Sequence, residues 1–130
     1  MRAAAVFVLG VLCASPAAAA QWMSCTAAGG EASFDYLIAD GAVFSVSAVT
    51  ATAGERVWAS DPANGPGDPI KIGNVHDDVT VSFVEATDEN LNMLAQLKLF
   101  KATEGESTVY GGTLHIEGVG AWAVSCNPQS

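Results

Sequence analysis

The chain has 130 residues, of which 50% are hydrophobic, and its formal net charge is −9 at pH 7. This length suits one domain that buries a hydrophobic core. Because so acidic a surface repels phosphate backbones and anionic headgroups, the composition argues against nucleic-acid binding and against attachment to a membrane surface. It is compatible with cationic partners, although its simplest consequence is solubility.

The N-terminus has the pattern of a secretory signal peptide. Arg2 supplies a positive start, an apolar run covers residues 3–14, and three alanines at positions 18–20 offer a cleavage site. The run is shorter than the roughly 20 residues that span a bilayer. We therefore predict a cleaved signal peptide at residues 1–20 and a single β-domain at residues 21–130. The mature protein is expected to be periplasmic or secreted, with no membrane insertion after cleavage.

Two cysteines, Cys25 and Cys126, would remain after cleavage, because Cys13 lies in the predicted signal peptide. In an oxidising compartment they are expected to form a disulfide, which would close a loop of about 100 residues. Neither cysteine lies in a C-x-x-C motif or beside a histidine, which argues against a catalytic or metal-binding thiol. The mature protein would keep four basic and fourteen acidic side chains, so its net charge would be −10.

Alternating apolar and polar residues predict short strands along the N-terminal half. Residues 21–27 form a first strand, and residues 32–38 and 42–48 flank an Asp-Gly turn signal at 40–41. A three-residue loop there keeps both apolar faces on the same side and sets Tyr36 opposite Phe44.

The middle of the sequence is less regular. Short strands are expected at residues 56–59 and 70–73 and in the alternating stretch 79–83. Residues 60–69, with three prolines and two glycines, are expected to form a long exposed loop.

The C-terminal third predicts two hairpins. A strand is favoured for residues 95–101, with a possible helical turn before it at Asp88. A turn after Glu104 would set Leu99 opposite Tyr110. A second turn at residues 118–120 would set Gly112 opposite Cys126, with Gly120 in the left-handed conformation. Together these elements predict an all-β fold: a small antiparallel β-sandwich or barrel with one disulfide joining the terminal strands.

Acidic side chains cluster around the proline–glycine loop, at Asp61, Asp68, Asp77 and Asp78. Oxygen ligands on a flexible loop are what Ca²⁺ requires. However, the spacing matches no calcium motif, and aspartate is an ordinary turn residue. A solvated loop is therefore favoured, and we assign no metal and no cofactor.

Histidine and tryptophan supply the remaining candidates. His76 beside Asp77 and Asp78 has the composition of an oriented general base, but the spacing supplies no nucleophile. His115 is expected alone on the outer face of a strand, which argues against zinc. Trp122 is assigned to the core beside the disulfide. Trp58 adjoins the loop and is the better candidate for an exposed ring, although core packing is favoured for it as well.

We therefore predict a non-catalytic binding or interaction module for an unidentified protein or small ligand, because loops on rigid β-platforms commonly carry recognition. The candidate binding residues lie on or beside the proline–glycine loop; they are Trp58, Asp61, Asn64, Asp68, His76, Asp77 and Asp78. One alternative is a small secreted hydrolase-like enzyme that uses the histidine and its two neighbouring aspartates. Such an enzyme would need the histidine in a concave pocket with a hydroxyl or carboxylate in reach. A second alternative is a structural component of the cell envelope.

Overall fold

The computed structural model describes residues 20–129, so the predicted signal peptide lies outside the described residues except for its last position. Strand makes up 66% of the structure and helix 3%, and the predicted all-β class is confirmed. The ten strands are β1 Gln21–Ala27, β2 Ala32–Ile38, β3 Val46–Ala53, β4 Arg56–Ala59, β5 Asp68–Pro69, β6 Lys71–Asp77, β7 Val81–Thr87, β8 Met93–Glu104, β9 Ser107–Ile116 and β10 Gly120–Pro128. Among residues 20–129, no helix has the length and hydrophobicity needed to cross a membrane.

The ten strands form one sheet in the order β5-β4-β3-β2-β1-β10-β9-β8-β7-β6. Neighbouring strands are antiparallel, except that β4 and β5 run parallel. Only Ile70 separates β5 from β6, and its amide donates to the carbonyl of Ala59 at 3.3 Å. The two edges of the sheet are therefore successive parts of one segment, and the sheet curls into a nearly closed barrel.

The interior is filled by the inward-facing side chain of every second residue. The largest fully buried side chains are Tyr36, Phe34, Leu97, Leu99, Leu114 and Ile116. Small inward residues leave room for large ones: Ala51 lies directly across from Trp58, whose exposed fraction is only 2%. Alternation of small and large side chains is the usual way in which a small barrel is filled.

The terminal strands lie side by side, and the predicted disulfide is confirmed. Cys25 of β1 pairs directly with Cys126 of β10, and their sulfur atoms are bonded to each other. Both cysteines are buried in the core, with exposed fractions of 0% and 3%. Such a bond is compatible with an oxidising compartment.

The predicted loop between β2 and β3 is wrong. The loop covers residues 39–45, and Tyr36 pairs with Val49 rather than with Phe44. A bulge inserts Ser47 as an extra residue in β3, so the inward side of this strand carries the opposite set of side chains. The bulge places the smaller valine and alanine side chains of β3 in the interior. Phe44, which lies in the loop before β3, is only half-buried.

The two C-terminal hairpins are each displaced by two residues from their predicted registers. Cys126 pairs with Tyr110 instead of Gly112, and Lys101 rather than Leu99 lies opposite Tyr110. A shift of two residues leaves every side chain on the same face of the sheet, so the hydrophobic pattern does not distinguish the two registers. Gly118, with φ of 72°, takes the left-handed position that we predicted for Gly120.

Other local expectations have mixed outcomes. The strands at 56–59 and 95–101 are confirmed, the latter as part of β8. Residues 60–69 contain one 3₁₀ turn, Pro62–Asn64, and the two residues of β5, and are otherwise irregular. No helix follows Asp88, whose carboxylate instead holds a turn by accepting from two backbone amides. In β7 the inward positions are Ser82, Val84 and Ala86, and Val79 lies outside the strand with an exposed fraction of 89%.

Candidate functional site

The structure distributes the seven predicted binding residues among three places. Trp58 lies in the core with an exposed fraction of 2%, so the core packing that the sequence favoured for this ring is confirmed, and the ring is not exposed for binding. The guanidinium of Arg56 stands 4.6 Å from the centroid of the Trp58 ring. This cation–π contact adds a further partner to a ring that already packs in the barrel interior.

Three further predicted residues, Asp61, Asn64 and Asp68, are exposed on or beside the loop between β4 and β5. Oδ1 of Asp61 accepts from the Ala63 amide at 2.9 Å and so caps the 3₁₀ turn. The far end of the loop packs tightly on β4, because a Cβ added at Gly67 would lie 3.0 Å from the carbonyl oxygen of Val57. Both ends of the loop are therefore anchored.

This loop encloses a cleft, which we call the proline cleft. Its volume is about 320 Å³, and it is lined by Ala59, Ser60, Pro62, Gly65, Pro66, Gly67 and Pro69. Ser60 anchors its base: the backbone amide donates to the carbonyl of Val49 at 2.9 Å, and Oγ accepts from the Val49 amide at 2.8 Å. The walls are mainly pyrrolidine rings and backbone, so the cleft suits a small apolar group. Asp61 and Asp68 each adjoin lining residues in the sequence but do not line the cleft themselves.

The other three predicted residues, His76, Asp77 and Asp78, lie at the opposite end of β6. Asp77 is nine residues further along the chain than Asp68, and a nearly extended backbone of this length spans roughly 30 Å. The structure therefore does not bring this group together with the proline cleft. Among the described residues, no group of three or more His, Cys, Asp or Glu side chains is arranged to hold a metal ion.

Asp78 stabilises the turn between β6 and β7. Its Oδ1 accepts from the backbone amides of Thr80 and Val81, both at 2.8 Å, and its Oδ2 lies 2.9 Å from Nε2 of His76. These interactions hold the pKa of the Asp78 carboxyl below its ordinary value; the hydrogen bond to His76 contributes most, followed by the two amides. The His76 side chain is 61% exposed and is not among the residues that line the proline cleft. A carboxylate is thus in reach of His76, but on an exposed turn.

Asp77 takes part in a polar cluster that the sequence analysis missed. Its Oδ1 accepts from Oγ of Ser82 on β7 and from Nζ of Lys101 on β8. Lys101 also donates to the carbonyl of Asp78 at 2.8 Å, and its side chain is only 15% exposed. These groups come from three different strands. The only signal for the cluster in the sequence was the presence of polar residues at inward-facing positions that are otherwise apolar.

Tyr36 reaches this cluster from β2. Burial raises the pKa of its phenol well above the ordinary value of 10, and the charge of Asp77 and the neighbouring Tyr110 raise it further. Ser82 partly opposes the rise by hydrogen bonding. The phenol therefore stays neutral at physiological pH, and we interpret the cluster as a partly exposed polar network that links the barrel strands.

The raised pKa of Tyr36 predicts a loss of stability in alkali. Since the unfolded protein releases the phenol proton first, the free energy of unfolding is expected to fall by about 1.4 kcal/mol per pH unit above pH 10. Urea titrations at several pH values from 8 to 12 measure this slope. Tyr36→Phe removes the titrating group, so its slope should be smaller by this amount; an unchanged slope would contradict the assignment.

A separate apolar surface lies on the outside of β8 and β9. Phe100 and Val109 are 58% and 64% exposed, and Nζ of Lys98 stands 5.6 Å from the centroid of the Phe100 ring. Beside them is a depression of about 310 Å³, lined by Ala102, Thr103, Glu104, Ser107 and Val109. The sequence analysis did not single out these residues, because exposed and core residues alternate in the same apolar stretch.

Comparisons with protein-family models, with curated proteins and with solved structures found no match to this protein.

Proposed function

We propose that the protein is an exported, non-catalytic binding module whose proline cleft holds a small apolar group of a cationic partner. The observation that carries this proposal is a cleft formed by a loop anchored at both ends on a barrel with a disulfide-bonded core. Because a preformed cleft requires little ordering when a ligand binds, more of the interaction free energy appears as affinity. Loops on rigid scaffolds are common sites of recognition.

The chemistry of the cleft and of the whole protein supports a cationic partner. A volume of about 320 Å³ fits one side chain or a small head group. Asp61 and Asp68 supply carboxylates at the loop, and the predicted mature protein has a net charge of −10. Such a field attracts cations and increases their association rate. We therefore expect a peptide segment in which a lysine or arginine adjoins an apolar residue.

A library of short peptides that contain lysine or arginine next to an apolar residue tests this proposal. The double variant Asp61→Asn/Asp68→Asn removes both charges while asparagine keeps the cap of the 3₁₀ turn. Since exposed ion pairs contribute about 0.2–1 kcal/mol each, loss of both is expected to weaken the binding of selected peptides by roughly two- to thirtyfold. Isothermal titration calorimetry at low salt measures this change, and added salt should weaken binding to the wild type.

Asp40→Asn is the matched control, because Asp40 is exposed on the loop between β2 and β3. This variant should bind the selected peptides as the wild type does. Chemical-shift changes on peptide addition should concentrate at residues 59–69. The proposal fails if no library peptide binds, if Asp40→Asn weakens binding as much as the double variant, or if the shifts lie elsewhere.

A further inference from the structure

Asn64 is followed by Gly65, and this is the one Asn-Gly pair in the sequence. In such a pair the backbone nitrogen of the glycine can attack the side-chain carbonyl of the asparagine. Glycine is the residue most favourable to this reaction, because it has no Cβ to block the approach and has the widest choice of backbone conformations. The local structure decides whether the folded protein permits it.

The fold leaves this pair open. Asn64 is exposed at the end of the 3₁₀ turn, and none of the side-chain hydrogen bonds within residues 20–129 involves its amide group. The Gly65 amide donates to the carbonyl of Pro62 over a long 3.3 Å. Gly65 has φ of 122°, and apart from its two chain neighbours no residue has a heavy atom within 4 Å of the place where a Cβ would stand. The attacking nitrogen is therefore held by one long hydrogen bond, and no group from elsewhere in the fold crowds the Cα of Gly65 on the side where a Cβ would stand.

The other four asparagines differ from Asn64 in local chemistry. Nδ2 of Asn74, within β6, donates to Glu85 at 3.1 Å, and Nδ2 of Asn92 donates to Asp88 at 3.1 Å. A leucine follows Asn90, which puts a branched side chain next to the attacking nitrogen. A proline follows Asn127, and its nitrogen has no proton to lose. These residues are internal controls.

We propose that Asn64 is a site of spontaneous deamidation in the folded protein. The Gly65 nitrogen bonds to Cγ of Asn64 and gives up its proton, the bond between Cγ and Nδ2 breaks, and ammonia leaves. Water then opens the resulting succinimide at either carbonyl, which yields aspartate or isoaspartate without any oxidant or reductant. The new carboxylate joins Asp61 and Asp68, and the isoaspartyl form adds a methylene to the backbone beside the proline cleft. This modification does not depend on whether the cleft binds a peptide.

Peptide mapping by mass spectrometry tests the proposal on the purified mature protein, kept at physiological temperature in buffers from neutral to mildly alkaline pH. The mass shift of an amide-to-acid change is expected in the peptide that holds Asn64 and in none of the others. Two chromatographically distinct products should appear, and the rate should rise with pH because the attacking nitrogen must be deprotonated. In ¹⁸O-labelled water, the product should carry one solvent oxygen.

Asn64→Gln is the control variant, since its longer side chain requires a less favourable six-membered ring. It should keep its amide over the same period, with an unchanged melting curve. A parallel sample in urea measures the reaction without the fold. The proposal is overturned if the folded protein keeps Asn64 intact while the unfolded protein deamidates there. It is also overturned if Asn74, Asn90 or Asn92 reacts as fast as Asn64.

Discussion

Reduction of the Cys25–Cys126 disulfide is expected to lower the melting temperature of the mature protein by roughly 10–25 °C. The bond joins residues 101 apart in sequence, so it removes a large part of the conformational freedom of the unfolded state. Loss of a native disulfide from a small exported domain typically costs about 2–5 kcal/mol. The upper part of that range is expected here, because the loop is long and the bonded residues are directly paired in the sheet.

Scanning calorimetry with and without a phosphine reductant measures this effect. The double variant Cys25→Ala/Cys126→Ala should unfold at a temperature equal to or lower than that of the reduced wild type, because it also leaves space where two buried sulfurs packed. Mass spectrometry of each sample reports the state of the thiols. A fully reduced protein that melts within a few degrees of the oxidised one would show that the bond contributes little.

Gly112→Ala is expected to destabilise the barrel by about 3 kcal/mol or more, at the upper end of what overpacking costs. Gly112 is paired with Leu99 of β8 and Val124 of β10. A Cβ at this position would stand 1.9 Å from the carbonyl oxygen of Lys98 and 3.0 Å from Cα of Leu99. Both obstacles are backbone atoms, so only a separation of β8 from β9 would relieve the clash.

The neighbouring glycine supplies the control. At Gly111 the nearest obstacle to a Cβ is the carbonyl oxygen of Val124, at an ordinary contact distance of 3.7 Å. Gly111→Ala is therefore expected to change the free energy of unfolding by less than about 1 kcal/mol. Denaturant titration of the two variants measures the difference. Equal stabilities would contradict the inferred close approach of the two backbones.

The pairing of the strands was only partly predictable from the sequence. Alternation locates most strands because it depends on neighbouring residues alone. It does not separate registers that differ by two residues, and the hairpins of Tyr110 and Cys126 differ from prediction by that amount. Bulges are equally hidden: Ser47 looks like an ordinary strand residue, yet its insertion reverses the inward side of β3. Both features depend on how the curved sheet closes.

The candidate site shows the same limit. The sequence indicated an irregular loop rich in proline and glycine, and the cleft lies there. It counted Trp58 among the candidate binding residues although it favoured core packing for the ring, and the ring packs in the barrel interior across from the small Ala51. His76 was grouped with the loop because the two are close in the sequence, but the extended strand β6 holds them far apart in space. Lys101 of β8 reaches Asp77 of β6 because the sheet places these two strands on either side of β7.

The sequence by itself determined the all-β class, the disulfide and the positions of most strands, because two-residue periodicity, turn residues and cysteine number are local or compositional properties. The tertiary structure decided the registers, the near closure of the barrel through Ile70, the polar cluster at Lys101 and the enclosure of the proline cleft. Each of these depends on backbone or side-chain contacts between segments distant in the sequence. Such contacts follow from curvature and packing of the whole sheet, which no short stretch of residues encodes.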